Sequence, residues 1–157
     1  MSGRSKAVSN PEAKTLSIIR LLNAPRELVW QVWASPDHIG KWWGPDGFST
    51  TIQKMDFREG GEWIFIMHGP DGTDYLNNIA FTRIIEPYLI TYTHFVIPQF
   101  FVEVKFKKHG EKTRVEMVMR YESREEYEDA VDRISIIPGL EQTIGRLADY
   151  VQEMANN

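Results

Sequence analysis

Ala24-Pro25-Arg26-Glu27-Leu28-Val29-Trp30 opens the stretch of sequence that decides the fold, which continues through Trp42-Trp43-Gly44-Pro45 to Arg58-Glu59-Gly60-Gly61-Glu62-Trp63. All five Trp of the chain lie between Trp30 and Trp63. Large aromatic rings contribute much apolar area and are seldom grouped on a plain surface. They therefore belong either to the core or to the wall of a pocket, and that distinction is the main functional question.

The whole-chain composition predicts one globular domain. A length of 157 residues fits a single core, and 42% hydrophobic with 25% charged residues is ordinary for globular proteins. The absence of Cys excludes disulfides and agrees with the reducing cytoplasm, where we expect the protein. The net charge of -4 argues against nucleic-acid binding, because phosphate contacts need a concentrated basic face. No apolar run approaches the ~20 residues of a membrane span.

The polar start of the chain is followed by a pattern of strands and helices. Residues 1–14 lack the apolar segment of a secretory signal, and we expect a flexible N-terminal tail there. The β-branched and aliphatic residues 15–22 predict the first strand, while Asn23 and Pro25 predict a helix start. A second short helix is predicted at residues 37–42. Alternation and turn residues predict further strands at residues 48–57, 62–68, 75–85, 90–96, 100–107 and 113–121.

The last third of the chain changes to a helical period. Residues 124–133 are acidic and helical in propensity, and Pro138-Gly139 is expected to interrupt that helix. Beyond it, an apolar stripe with 3.6-residue spacing predicts a helix of ~15 residues, ~22 Å long. The stripe consists of Leu140, Thr143, Ile144, Leu147, Val151 and Met154. This predicts an α+β domain, in which a curved antiparallel sheet wraps a long C-terminal helix.

This element order, together with several short motifs, resembles the helix-grip fold of the START-like (SRPBCC, Bet v 1) superfamily. Within it, the chain is similar to the family of the activator of heat-shock protein 90 ATPase. The resemblance covers residues 15–154, so we predict one helix-grip domain over residues 15–157. The motifs that carry it are Ala24-Pro25 with Val29-Trp30, Trp42-Trp43-Gly44-Pro45, Gly60-Gly61, His68-Gly69-Pro70-Asp71-Gly72, Glu86-Pro87 and Glu141-Gln142-Thr143.

The resemblance implies a hydrophobic cavity between the sheet and the terminal helix, which members of the superfamily use for lipids, polyketides and hormones. Strand alternation indicates which side chains of this sequence would face such a cavity. Tyr92 and His94 are the polar groups on the predicted inward face, and they are the candidate anchors for a ligand. The predicted ligand-binding residues are Trp43, Trp63, Phe65, Met67, Tyr92, His94, Val104, Phe106, Met117, Ile144, Leu147 and Val151.

The sequence contains no pattern that predicts a metal site, a cofactor or an established catalytic centre. The four histidines fall in different predicted elements, and none of them forms an HExxH pair on a helix. A GxSxG turn and a phosphate-binding loop are also missing from the sequence. We therefore expect no cofactor, no metal ligands and no assigned catalytic residues.

The preferred hypothesis is a protein that binds a small hydrophobic, lipid-like or polyketide-like molecule in an internal cavity. One alternative is a chaperone-binding interaction module, as in the namesake of the family, with the cavity filled by core side chains. Another is a cyclase or hydrolase of the same fold, which would require Tyr92 and His94 to be close together and reachable from solvent. A homodimer is also allowed, through an edge strand expected at residues 100–107.

Overall fold

The computed structural model describes residues 6–96 and 98–156, which form an eight-stranded sheet and the helices packed on it. The strands are β1 (Val8–Asn10), β2 (Thr15–Leu22), β3 (Ser49–Met55), β4 (Glu62–His68), β5 (Asp74–Ile85), β6 (Leu89–His94), β7 (Phe100–His109) and β8 (Lys112–Tyr121). The helices are α1 (Arg26–Ala34), α2 (Pro36–Trp42), α3 (Arg124–Glu128), a π-helical segment (Asp129–Arg133) and α4 (Ile136–Ala155).

Every pair of neighbouring strands in the sheet is antiparallel. Their order across the sheet is β1-β2-β8-β7-β6-β5-β4-β3, and β2 pairs with β8 in antiparallel register. The helices α1 and α2 connect β2 to β3, which is the strand at the opposite edge. The predicted helix-grip fold is therefore confirmed. The prediction of an edge strand at residues 100–107 is wrong, because β7 lies between β6 and β8.

The C-terminal helix lies against the inner face of the sheet. It packs on β2, α1 and α2 and buries five apolar or small side chains, Leu140, Ile144, Leu147, Ala148 and Val151. The expected interruption at Pro138-Gly139 is wrong, since α4 already begins at Ile136. Pro138 is the third residue of the helix, where the backbone N–H would have no partner within the helix.

The chain joins the sheet earlier than expected. Val8–Asn10 pairs with β2 in antiparallel register, with Val8 opposite Ser17. The backbone N–H of Ala7 also donates to the Glu141 carboxylate of α4, at 2.8 Å. These contacts differ from the flexible tail expected over residues 1–14, because β2 has an unpaired edge that a short strand can cover. Residues 1–5 lie outside the described part of the chain.

The Gly60-Gly61 turn holds β3 and β4 close to β5. The N–H of Gly61 donates to the Arg58 carbonyl at 2.8 Å, and the Gly61 carbonyl accepts from the Phe81 N–H at 2.9 Å. A Cβ at position 61 would lie 2.0 Å from the backbone oxygen of Asp56. Because that oxygen belongs to the main chain, no side-chain movement could relieve the clash. Glycine is therefore required at position 61.

We expect Gly61→Ala to lower the free energy of unfolding by ~1–3 kcal/mol or more, because overpacked sites typically cost that much. The control is Gly145→Ala on α4, since a Cβ there meets no atom within 4 Å. That change should be neutral or stabilising by up to ~1 kcal/mol, because Ala favours helix more than Gly does. Urea unfolding of both variants measures the difference. Equal stability of the two would contradict the close approach at Gly61.

Candidate functional site

One row of inward-facing side chains crosses the concave face of the sheet. Trp63 pairs with Ile79, Ile79 with His94, His94 with Phe100, and Phe100 with Tyr121. Each member of the row comes from a different strand, and neighbouring strands lie ~4.8 Å apart. Register therefore brings an indole, an imidazole and a phenol onto one line, although they are far apart in sequence.

The predicted ligand-binding residues lie in or against the core around this row. Trp43 and Met67 are partly buried and pack against it. The other members are buried, namely Trp63, Phe65, Tyr92, His94, Val104, Phe106, Met117, Ile144, Leu147 and Val151. The structure thus brings the predicted set together between the sheet and α4, and its role in binding stays a prediction.

The tryptophans of the deciding stretch cover this face with aromatic contacts. Trp43 contacts Trp63 with ring centroids 4.9 Å apart, and Trp33 contacts Phe106 at 5.8 Å. Trp42 is buried, and its Nε1–H donates to the Val32 carbonyl at 3.1 Å. The adjacent indoles therefore differ in role, because Trp42 lies in the core while the partly buried Trp43 forms part of the wall above the sheet.

Arg146 of α4 holds the loop that carries Trp43. Its Nη1 donates to the carbonyl oxygens of Gly44 at 2.9 Å and Pro45 at 3.1 Å, and lies 3.3 Å from that of Phe48. A planar guanidinium offers several fixed donors and can satisfy such a set of carbonyls at once. No sequence pattern predicts this role for Arg146, because a cation on an amphipathic helix usually faces water.

We expect Arg146→Met to lower the free energy of unfolding by about 1.5–3 kcal/mol, the usual contribution of hydrogen bonds to a charged group. Arg146→Lys should recover little of the loss, because the lysine side chain is one bond shorter and its ammonium stops short of the Nη1 position that contacts these carbonyls. Arg114→Met is the control, since Arg114 is 48% exposed and pairs with Glu116. Thermal and urea unfolding give the comparison. If Arg146→Met proved as stable as Arg114→Met, the role of Arg146 in holding the loop after α2 would be ruled out.

His94 already has protein partners at both ring nitrogens. Nε2 lies 2.7 Å from the side-chain amide of Asn77, and Nδ1 lies 3.2 Å from the Pro98 carbonyl. The imidazole also stacks on Phe100 at a centroid distance of 4.4 Å. Burial lowers the pKa of His94 below its ordinary value, although the backbone contacts with Pro98 and Val96 oppose that shift. Both partners present acceptor oxygens and a neutral imidazole carries one N–H, so His94 donates to one of them and has no further N–H to offer a ligand.

The hypothesis of an enzyme with Tyr92 and His94 requires both side chains to be close together and reachable from solvent, and their burial does not meet the second requirement. The two side chains share the inward face of β6, two residues apart. However, Tyr92 is only 2% exposed and His94 only 6% exposed. This burial offers no route for solvent or substrate to the pair in the observed conformation.

The lowered pKa of His94 predicts acid sensitivity of the fold. Below the ordinary value of 6.5, the unfolded chain gains a proton that the folded chain does not take up. The free energy of unfolding should therefore decrease as the pH falls from 6.5 towards the folded-state pKa. His94→Gln should weaken this pH dependence, because it removes the group whose pKa differs between the folded and unfolded chain. Urea unfolding at about pH 7.5 and about pH 5.5 measures it. An unchanged pH dependence in His94→Gln would contradict the assignment.

Four buried side-chain donors of the described residues lack a protein acceptor, namely Arg26 Nε at the start of α1 and three donors of the interior. Within residues 6–96 and 98–156, Trp33 Nε1, Trp63 Nε1 and Tyr121 Oη have no hydrogen-bond partner. A buried donor without a partner costs about 1–3 kcal/mol, so such groups are uncommon in a filled core. Trp33 and Tyr121 are not among the predicted ligand-binding residues, although Tyr121 shares a strand face with Met117, which is one of them. Strand alternation can therefore predict that the Tyr121 side chain is buried. Only the structure shows which buried donors have a hydrogen-bond acceptor.

The phenols near this row remain protonated at neutral pH. Burial, with a smaller contribution from Tyr121, raises the pKa of Tyr92. Burial, with a smaller contribution from Tyr127, raises the pKa of Tyr121. Tyr121 also contacts Phe100 and Tyr127 through its ring. The interior therefore offers neutral hydroxyl donors rather than phenolates.

A separate open groove of about 500 Å³ lies between α2 and β3. It is lined by Pro36, Asp37, Gly40, Lys41, Thr50, Ile52, Gln53, Lys54 and Met55. None of these belongs to the predicted ligand-binding set. The groove is shallow and polar, whereas the candidate site lies beneath α4, so the orphaned donors identify the site better than surface concavity does.

The described residues contain no cluster of three or more His, Asp and Glu side chains suited to a metal ion. Among the helices of residues 6–96 and 98–156, none is long and apolar enough to cross a membrane.

A family model matches most of the chain. The model of the Activator of Hsp90 ATPase homolog 1-like protein family matches residues 23–152. The match begins just before α1 and ends near the end of α4, so it includes the aromatic stretch, the inner face and Arg146. No curated protein matches the chain.

Several solved structures share the fold. A protein from Arthrobacter aurescens is 24% identical, with a TM-score of 0.88 over 94% of this chain and 91% of that one. A protein from Mycobacterium smegmatis is 26% identical, with a TM-score of 0.82 over 91% of this chain and 93% of that one. An AHSA1-like protein from Aeromonas hydrophila is 21% identical, with a TM-score of 0.74 over 91% and 95% of the two chains. At these identities the likeness describes the fold.

Proposed function

This chain belongs to the Activator of Hsp90 ATPase homolog 1-like family, and we propose that it binds a small, largely apolar molecule between the inner face of the sheet and α4. The molecule is of lipid-like or polyketide-like chemistry. The observation that carries the proposal is the pair of buried donors without acceptors at Trp63 Nε1 and Tyr121 Oη. Trp63 on β4 and Tyr121 on β8 are four strand spacings apart, roughly 19 Å at ~4.8 Å each, so two separate acceptor atoms of one ligand would satisfy them in a surrounding of aromatic and aliphatic side chains.

The chemistry of these groups defines the two polar positions of the ligand. An indole N–H donates only, and a hydroxyl with a raised pKa remains a donor at neutral pH. The ligand should therefore present an acceptor to each donor, such as a ketone, ester or phenolic oxygen. Tyr121 and Trp63 replace His94 as the proposed anchors, since His94 is engaged by Asn77 and Pro98. The apolar remainder would lie against residues such as Phe65 and Leu147.

A chaperone-type interaction module is the second candidate. The family is named for an activator of the Hsp90 ATPase. In addition, the outward side of the β1–β2 edge exposes apolar side chains, with Val8 63%, Ile19 50% and Leu21 41% exposed. A contiguous apolar patch is typical of protein contacts. Under this alternative the interior would be core only, and small molecules would leave its stability unchanged.

We expect a thermal-shift screen of fatty acids, sterols, flavonoids and aromatic polyketides to give a binder. A ligand at about 100 times its dissociation constant adds about 2.7 kcal/mol to the folded state. For a domain of this size the melting temperature should rise by roughly 5–10 °C. Tyr121→Phe keeps the ring and removes the donor, so it should weaken that binder by about tenfold, measured by calorimetry.

Tyr88→Phe is the matched control, because Tyr88 is 53% exposed outside the candidate site. It should leave the affinity unchanged. His94→Gln should have little effect, because its nitrogens already have protein partners. A binder that Tyr121→Phe and Trp63→Phe leave untouched would remove the proposed anchors. No thermal shift with any class would favour the interaction module.

A further inference from the structure

A hydrogen-bonded relay of Thr51, His68 and Asp74 lies on the outward face of the sheet. The His68 Nδ1 is 2.7 Å from the Asp74 carboxylate, and its Nε2 is 2.7 Å from the Thr51 hydroxyl. A carboxylate only accepts, so Nδ1 carries the hydrogen. In the neutral ring, Nε2 then accepts from the Thr51 hydroxyl. This is the order of groups that activates a hydroxyl in acyl-transfer enzymes.

Backbone pairing fixes the relay across three strands. His68 of β4 is the direct partner of Asp74 of β5. Thr51 of β3 pairs with Ile66, one outward position before His68 on the same strand. The hairpin between β4 and β5 is closed by the Gly69 N–H, which donates to the Thr73 carbonyl at 2.7 Å. The relay is thus held by regular sheet register rather than by a loop.

The same register places an apolar strip beside the hydroxyl. Ile66 lies between Thr51 and Leu76 in one cross-strand row, and Ile64 is the next outward residue on β4. Leu76 is 57% exposed and Ile64 is half-buried. The His68 side chain is 35% exposed, so a small molecule on the strip can reach the relay. The strip suits a short alkyl chain next to the Thr51 oxygen.

We propose that Thr51 is the nucleophile of an acyl-accepting site, with His68 as general base and Asp74 as the residue that positions the imidazole. The Thr51 oxygen attacks the carbonyl carbon of an activated ester, and its proton passes to His68 Nε2. The leaving alcohol or phenol departs with that proton, and an acyl ester forms on Thr51. Water then attacks the acyl ester with His68 again as base, which returns free Thr51 and a carboxylic acid.

The substrate class is an ester of a short, apolar acyl chain with a good leaving group. p-Nitrophenyl butyrate is the probe. If the acyl ester on Thr51 is hydrolysed slowly, we expect mass spectrometry to find one butyryl group per chain, on the peptide that contains Thr51. If it is hydrolysed fast, we expect continuous release of p-nitrophenolate that depends on Thr51. Thr51→Val should abolish both, and His68→Gln should slow acylation of Thr51 by about 100-fold, the low end of a general-base contribution.

Asp74→Asn should lower the acylation rate at saturating ester while leaving the half-saturating ester concentration unchanged, because Asp74 acts through His68. Ser17→Ala is the control, since Ser17 is an outward-facing hydroxyl on β2 without this relay, and it should react like the parent chain. The three relay residues are exposed or half-exposed, so the variants should retain the fold, checked by thermal unfolding. Butyryl groups confined to other residues, or equal acylation rates in His68→Gln and the parent, would overturn the proposal.

Discussion

The Arg146 guanidinium ties α4 to the loop after α2, because it donates to carbonyl oxygens of that loop. Carbonyls that follow a helix C-terminus carry partial negative charge, and a single guanidinium can bind several of them. That loop presents Trp43, whose ring contacts Trp63 and Phe65. Gly44 contributes as well, because it has φ +107° and a Cβ there would lie 3.2 Å from Met67 Cε. The position of α4 and the aromatic wall are therefore linked through one side chain.

The interior combines close aromatic packing with donors that have no acceptor. Packing alone would favour apolar side chains at these positions, since each unsatisfied donor costs free energy. His94 shows how such a cost is avoided, because Asn77 from the neighbouring strand binds its ring. Trp63 and Tyr121 lie in the same cross-sheet row but lack such partners. The contrast within one row is the physical basis for assigning the anchors to these two residues.

The two faces of the sheet carry two different candidate sites, and alternate residues of one strand contribute to each. Met67 points inward beside the aromatic wall, whereas the next residue, His68, points outward to Thr51 and Asp74. Successive side chains of a strand face opposite sides of the sheet, so one short segment can serve both faces. The interior site and the outward relay can therefore be altered independently, and a variant of one should leave the other intact.

The sequence by itself determined the element order from β2 onward, the long terminal helix and the burial of predicted residues such as Trp63 and Leu147, because periodic burial is a local property of a chain. It missed β1, because three polar or exposed residues give no periodic pattern and their pairing with β2 is a tertiary contact. It was wrong about the helix break at Pro138-Gly139, since a Pro in the first turn removes only an N–H that needs no helical partner. Only the tertiary structure decided which polar groups have partners. The pairing of His94 with Asn77 depends on strand register, and the clamp from Arg146 depends on how α4 crosses the loop after α2. Both join residues far apart in the chain, so no local pattern records them.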